Sequence, residues 1–195
     1  DLVATAIGAD IVPIIGENRI LAYHGLQVIN QNPRPGFKAI IKKVKKETLT
    51  ITDVVFIIAP RINAAGRMKH GNHAVTLLCE TDQNLAANFA IDIDQYNTDR
   101  RDTDKKITVE ALAQIEENKE QEGFTTVVYD ENWHKGVIGI VASRLIETYY
   151  RPTLVFTKSG DVLAASARSV KGFDVYNSLE QCSEFIEQFG GHKYA

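Results

Sequence analysis

Apolar side chains recur at helical spacing through much of the first eighty residues. Ile20, Leu21 and Val28 follow this spacing and predict a helix over residues 17–29. A basic helix is expected over residues 36–46, and Thr50 begins a segment with the residue types that cap helices. The apolar residues 54–59 end at Pro60, after which a loop is expected over residues 60–67. The first part of the chain is therefore predicted to be mostly helical.

One long helix is predicted over residues 82–119, with Asp82 as its N-terminal cap. Apolar stripes mark its two ends, while residues 97–106 are polar on every side. A helix that is polar all round often bridges domains through solvent, so the domain junction is expected here. A disordered linker is the alternative, which the flanking stripes disfavour. The stripes consist of Leu85, Phe89, Ile93 and Tyr96, and of Ile107, Ala111, Leu112 and Ile115.

The last part of the chain changes to a strand and helix alternation. Strands are predicted over residues 125–129, 153–157 and 162–168, and helices over residues 135–149 and 174–182. Strand, helix and strand in this order predict an α/β unit. The expected domains are therefore residues 1–81, a connecting helix over residues 82–122, and residues 123–195.

Composition narrows the class of protein further. The chain of 195 residues carries 22 basic and 25 acidic side chains, so phosphate contacts must come from local clusters. One basic cluster, which is either such a site or a solvated helix face, consists of Arg34, Lys38, Lys42, Lys43, Lys45 and Lys46. Cys79 and Cys182 lack a metal-binding spacing and indicate reduced thiols in a cytoplasmic protein. The apolar runs are too short for a membrane span. The start at Asp1 and the single methionine indicate a piece of a longer protein.

Three patches in the last third combine small residues with donors suited to phosphate. On the strand over residues 162–168, Ser166 and Arg168 lie on one face and suit an anion, unless the arginine merely faces solvent. His134 stands before a predicted helix start that contains Gly139, where free amides could bind an anion. Trp133 is expected in the core, with base stacking as the alternative. The third patch, which could also be a plain loop, is Gly190, Gly191 and His192.

The first part of the chain offers weaker candidates. Arg61, Asn63 and Arg67 surround small residues in a segment that could clamp a backbone phosphate or simply end a helix. Asp10 alone cannot hold a divalent cation, which needs several ligands, and the sequence shows no dense group to complete the set.

Taken in order, several segments resemble the RecJ-type single-strand-specific exonucleases of the DHH phosphoesterase superfamily. The segments that carry the resemblance are residues 1–13, 17–19, 60–67, 133–145, 166–169 and 189–192. The resemblance implies the helical C-terminal part of a DHH domain, a long connecting helix and a small DHH-associated α/β domain with a mixed sheet. Substrate would lie between the two domains.

The resemblance also implies a function and a set of site residues. RecJ-type enzymes degrade single-stranded DNA from the 5′ end to mononucleotides in DNA repair and recombination, with two Mn²⁺ or Mg²⁺ ions. Asp10 matches a metal ligand, and Arg67, Ser166 and Arg168 match residues that grip phosphates. His134 matches a residue at the site of reaction, and Arg61, Asn63, Gly190, Gly191 and His192 match the substrate side. The implied partners are single-stranded DNA, a repair helicase and a single-strand-binding protein.

Two alternative functions remain open at this point. The Asp-His-His signature of the superfamily is absent from this sequence, so the chain alone is expected to lack nuclease activity. A DHH phosphodiesterase acting on short oligonucleotides or cyclic dinucleotides is one alternative. A non-catalytic nucleic-acid-binding module is the other.

Overall fold

A computed structural model of the chain describes residues 1–10, 12–42, 44 and 46–195. The chain divides into two compact units, Asp1–Arg100 and Arg101–Ala195. Within the described residues, no helix has the length and apolar character that a membrane crossing requires.

The first unit is helical, as the apolar periodicity predicts. The helix expected over residues 17–29 is confirmed as α2. The helices of this unit are α1 (Leu2–Ala9), α2 (Gly16–Gln31), α3 (Pro35–Ile41), α4 (Ile51–Asp53), α5 (Ala59–Met68), α6 (Asn72–Cys79) and the first half of α7 (Gln83–Glu117).

The core of the first unit forms where α3 and α6 approach each other closely. Phe37 and Leu77 are fully buried in one apolar cluster with Ile29, Val54 and Ile58. Gly36 makes the approach possible, because a Cβ atom at this position would overlap the backbone carbonyl of Leu77. Burial of these side chains is the main stabilising contribution within the unit.

The helix start expected at Thr50 is confirmed as a complete capping box. The Thr50 hydroxyl accepts from the N–H of Asp53, and the Asp53 carboxylate accepts from the N–H of Thr50 at 2.8 Å. Lys46 donates to the same carboxylate at 2.5 Å. These hydrogen bonds, led by that of Lys46, lower the pKa of Asp53 from 3.8 to about 2.

Two predictions for the first unit are wrong. Residues 60–67 belong to α5 and not to a loop. The chain reaches Pro60 through a wide π-helical turn, Val54–Ile58, and Pro60 lies in the first turn of α5, where its missing N–H is tolerated. The basic helix ends at Ile41 rather than at residue 46. In the basic cluster, Lys43 and Lys45 lie outside the described residues. Arg34 forms an ion pair with Asp1, and Lys46 forms one with Asp53.

The long helix α7 is confirmed, with Asp82 accepting from the N–H groups of Asn84 and Leu85. Its middle differs from the expectation of an all-round solvated surface. Asn97 is 8% exposed and Asp104 only 1%. Asp104 is buried because it lies on the same face as Ile107, Ala111 and Ile115, one helical turn ahead of that apolar stripe.

The second unit contains the predicted mixed sheet, with all three strands confirmed. In the described part of the chain, β1 (Thr126–Tyr129), β2 (Thr153–Ser159) and β3 (Val162–Arg168) form one sheet in the order β1-β2-β3. β1 is parallel to β2, and β2 is antiparallel to β3. The unit also contains α8 (Ile138–Thr148) and α9 (Val175–Glu180).

Helix α8 packs on β2 and β3 through its apolar face. Val141, Ala142 and Leu145 are fully buried, as is Val155 on β2. Val155 pairs with Ser166, so the face of the sheet that α8 covers is the face that carries Ser166. The α/β class predicted for this part of the chain is confirmed.

Candidate anion-binding site

Ser166 and Arg168 lie on one face of β3, as strand alternation predicts. The guanidinium Nη1 of Arg168 donates to the Ser166 hydroxyl at 3.3 Å and to the Ala167 carbonyl at 2.7 Å. Both side chains are half-buried. The arginine is thus held over the sheet by its own strand and does not extend freely into solvent.

Gly139 brings the first turn of α8 against this pair. A Cβ atom at Gly139 would lie 2.8 Å from the Ser166 hydroxyl oxygen and 3.2 Å from Nη2 of Arg168. Gly139 is the second residue of α8, so the positive end of the helix dipole lies beside the hydroxyl and the guanidinium. This combination of donors suits a phosphate group.

His134 lies in the turn that leads into α8. The helix begins at Ile138, three residues later than predicted, because the His134 carbonyl accepts from the N–H groups of Val137 and Ile138 in a turn. The N–H of Gly136 donates to Nδ1 of His134 at 3.1 Å. In the neutral imidazole the proton is therefore on Nε2, where it is a hydrogen-bond donor.

Trp133 belongs to the core, as expected, with an exposed fraction of 5%. It is therefore unavailable as a stacking platform for a base. Its backbone carbonyl accepts from the Thr157 hydroxyl at 2.6 Å. This bond attaches the turn before α8 to β2.

The segment with Gly190, Gly191 and His192 is exposed and folds as a turn. The N–H of His192 donates to the Ala195 carbonyl at 2.7 Å, and Nδ1 of His192 accepts from the N–H of Tyr194 at 3.2 Å. The Tyr194 carbonyl accepts from the N–H of Ser169, the residue after Arg168. The glycine segment is thus connected by backbone contacts to the end of β3.

The candidates on α5 point in two directions. Arg61 donates through Nε to Asp94 at 2.7 Å and through Nη1 to the Ile57 carbonyl at 2.7 Å. Asn63 and Arg67, one helical turn apart, are both exposed on another face. The structure therefore groups Asn63 with Arg67 and engages Arg61 in an ion pair with α7.

Asp10 ends α1 and is exposed. Across residues 1–10, 12–42, 44 and 46–195, no group of three His, Cys, Asp or Glu residues could hold a metal ion. The described residues therefore do not fit a complete two-metal centre, and Asp10 is at most one ligand of a larger set.

Residues that sequence reasoning missed support the second unit. Arg144 on α8 makes three hydrogen bonds of 2.8–3.0 Å to the buried Asp104 carboxylate. These bonds raise the pKa of Arg144 above its ordinary value. The Gln114 side chain bonds both backbone groups of Tyr129, and Glu110 accepts from the Trp133 indole. Only Asp104 had a detectable sequence signal, its register with the apolar stripe.

Comparisons with known proteins identify relatives of this chain. Residues 121–195 match the family described as the DHHA1 domain. The single-stranded-DNA-specific exonuclease RecJ of Bacillus subtilis (strain 168) is 37% identical over an alignment that covers the whole chain. The chain is homologous to RecJ along its entire length.

Solved RecJ structures extend the relationship to the fold. RecJ from Thermus thermophilus in complex with Mg²⁺ superposes with a TM-score of 0.87 at 28% identity, over 98% of this chain and 30% of that one. An exonuclease RecJ bound to manganese gives a TM-score of 0.84 at 29% identity, over 100% of this chain and 48% of that one. The chain spans 25% of the length of the Bacillus RecJ.

Proposed function

We propose that this chain is the substrate-gripping part of a metal-dependent exonuclease that degrades single-stranded DNA from its 5′ end to mononucleotides. The observation that carries the proposal is the contact of Gly139 with Ser166 and Arg168, which places a helix N-terminus, a hydroxyl and a guanidinium together. The homology to RecJ exonucleases gives this anion site a substrate class.

The site binds a backbone phosphate through four kinds of donor. Arg168 supplies a charge-assisted hydrogen bond, and Ser166 adds a hydroxyl. His134 donates from Nε2, and the start of α8 adds the positive end of its dipole. Gly190, Gly191 and His192 extend these phosphate contacts along the bound DNA strand. These donors recognise the backbone and not the base, so they tolerate any sequence.

The first unit contributes a second group of substrate contacts. Asn63 and Arg67 are exposed one turn apart on α5 and bind a further phosphate. Arg61 is engaged with Asp94, so we propose that it acts by orienting α5 rather than by direct contact.

The metal ions of the reaction are Mg²⁺ or Mn²⁺, the ions in the RecJ structures. Asp10 supplies one ligand, and the remaining ligands come from outside this chain. The chain by itself then has no nuclease activity. In the complete enzyme it acts in the cytoplasm, in DNA repair and recombination, together with a helicase and a single-strand-binding protein.

Binding of a fluorescently labelled, 5′-phosphorylated oligonucleotide to the chain tests whether the proposed anion site binds a DNA backbone. We expect Arg168→Ala to weaken binding about tenfold, the effect of one charge-assisted hydrogen bond. Lys158→Ala is the matched control, because Lys158 is exposed on β2 and, by strand alternation, lies on the face opposite Ser166. Equal losses in the two variants would show that the binding is a nonspecific charge effect and would refute the proposed site.

Two further measurements separate the alternative functions. Preference for oligonucleotides of about 10 nucleotides or more over dinucleotides and cyclic dinucleotides supports the exonuclease, and the reverse preference supports a small-substrate phosphodiesterase. A chimaera tests catalysis, with the 195 residues replacing the matching segment of Bacillus RecJ. We expect the chimaera to release nucleotides with Mn²⁺, the isolated chain to release none, and Arg168→Ala to abolish the release. A folded chimaera without activity would favour a non-catalytic binding module.

A further inference from the structure

Trp133 is held at two points by two different elements. Its carbonyl accepts from the Thr157 hydroxyl of β2, and its indole Nε1–H donates to Oε2 of Glu110 on α7 at 2.9 Å. Trp133 is 5% exposed and Thr157 is fully buried. The side chain and the backbone of this residue are therefore both fixed.

The fixed residue immediately precedes the proposed anion site. His134 follows Trp133, and its carbonyl and Nδ1 organise the turn that begins α8. Thr157 pairs with Ala164 on β3, on the same face as Ser166, so one anchor ties the turn to the strand that carries the anion donors. The other anchor, Glu110, holds the indole of the same residue from α7.

The Glu110 carboxylate has the character of a directional anchor. Burial of the indole ring alone is non-directional, whereas a hydrogen bond to a carboxylate fixes the ring in its plane. Its other oxygen lies 3.8 Å from Lys106, a long contact at an exposed position that contributes little. The indole is therefore the main partner that the described contacts give this carboxylate.

We infer that Glu110 is a positioning residue for the anion site, acting through the indole of Trp133. This inference rests on the proposed phosphate-binding function of Ser166, Arg168 and the start of α8. It assigns no contact between Glu110 and the substrate.

The test compares Glu110→Ala with Glu110→Gln in the chain. Both variants remove the charge, so both change the electrostatic attraction for DNA equally, but only glutamine retains an oxygen that accepts the indole N–H. We expect Glu110→Ala to weaken oligonucleotide binding about tenfold relative to Glu110→Gln. Glu116→Ala, an exposed glutamate on the same helix, controls for the loss of charge and should match Glu110→Gln.

A spectroscopic readout accompanies the binding measurement. Trp133 is the sole tryptophan, so the ¹⁵N NMR spectrum contains one indole N–H signal. In Glu110→Ala we expect this signal and the amide signals of Gly136 and Gly139 to shift, and in Glu110→Gln to stay close to their original positions. Equal affinities of the alanine and glutamine variants, with a shifted indole signal, would make the bond structural only and overturn the inference.

Failure of the proposed function is distinguishable from failure of the inference. If the unmodified chain binds no oligonucleotide, the proposed function fails. The amide signals of Gly136 and Gly139 then decide the role of Glu110. If these signals shift in Glu110→Ala and keep their original positions in Glu110→Gln, the positioning role of Glu110 is supported. If they are unchanged in Glu110→Ala, that role is refuted.

Discussion

Gly139 lies so close to Ser166 that a Cβ atom on the glycine would be 2.8 Å from the serine hydroxyl oxygen. In a helix interior, alanine is favoured over glycine by about 1 kcal/mol, so Gly139 in the first turn of α8 has at most this helix-propensity cost. The close contact accounts for the glycine, because a side chain at position 139 would displace Ser166 and Arg168.

Replacement of Gly139 by alanine therefore tests the geometry of the site. We expect Gly139→Ala to lower oligonucleotide affinity about tenfold, because Ser166 and Arg168 must move away from the helix. The helix-propensity gain and the clash oppose each other, so the melting temperature should change little. Gly71→Ala is the control, since a Cβ at Gly71 meets nothing within 4 Å. Unchanged affinity in Gly139→Ala would show that the close contact has no role in binding.

The ion pair of Arg61 and Asp94 predicts a coupled loss of stability. Their side chains are 23% and 22% exposed, so solvent screens the pair only in part. In a double-mutant cycle of Arg61→Ala and Asp94→Ala, measured by urea unfolding, we expect a coupling free energy of about 1 kcal/mol. Oligonucleotide affinity should fall by the same small factor in both variants, because the pair orients the helix that carries Asn63 and Arg67. A loss of affinity in Arg61→Ala alone would instead make Arg61 a substrate contact.

The buried Asp104 carboxylate predicts a larger effect on the second unit. Arg144→Ala removes all three described hydrogen bonds between Arg144 and a side chain that is 2% exposed. Because Arg144 itself is half exposed, we expect a loss of about 2 kcal/mol in the free energy of unfolding, less than for a fully buried pair. Lys106→Ala, which breaks an exposed pair, should cost at most about 0.5 kcal/mol. Similar losses in the two variants would contradict the role assigned to burial.

Asp53 predicts how the stability of the first unit depends on pH. Its pKa is about 2 when folded and 3.8 ordinarily, so the unfolded chain binds the proton more tightly. The contribution of Asp53 is therefore complete above about pH 5 and is lost as the pH falls towards 2. Thermal melts between these limits should show a steeper acid decline for the unmodified chain than for Asp53→Asn. Glu47→Gln, a change of an exposed carboxylate, should leave the decline intact, and parallel profiles for Asp53→Asn would refute the assignment.

The sequence predicted the elements whose signals are local. The helix over residues 17–29, the helix start at Thr50 and the alternation on β3 each depend on neighbouring residues, and all three are confirmed, although Ile20, Leu21 and Val28 of α2 are exposed. The prediction failed at Pro60, because proline read alone indicates a break. The π-helical turn that accommodates it depends on the packing of Val54 and Ile58 in the core.

The contacts that organise the candidate site were less accessible to sequence reasoning. Ser166 and Arg168 were found because strand alternation places them on one face. The partners of Arg61 and Trp133 lie 33 and 23 residues away in the chain, and no local pattern connects them. Such pairs depend on how helices and strands pack, so they follow from tertiary structure alone.

The amide side chain of Gln114 donates to the Tyr129 carbonyl and accepts from the Tyr129 N–H, both at 2.9 Å. It thus occupies the backbone N–H and carbonyl of Tyr129 on β1, an edge strand of the sheet, where they would otherwise be open to another polypeptide. A strand that adds beside β1 must consequently displace the Gln114 amide from Tyr129.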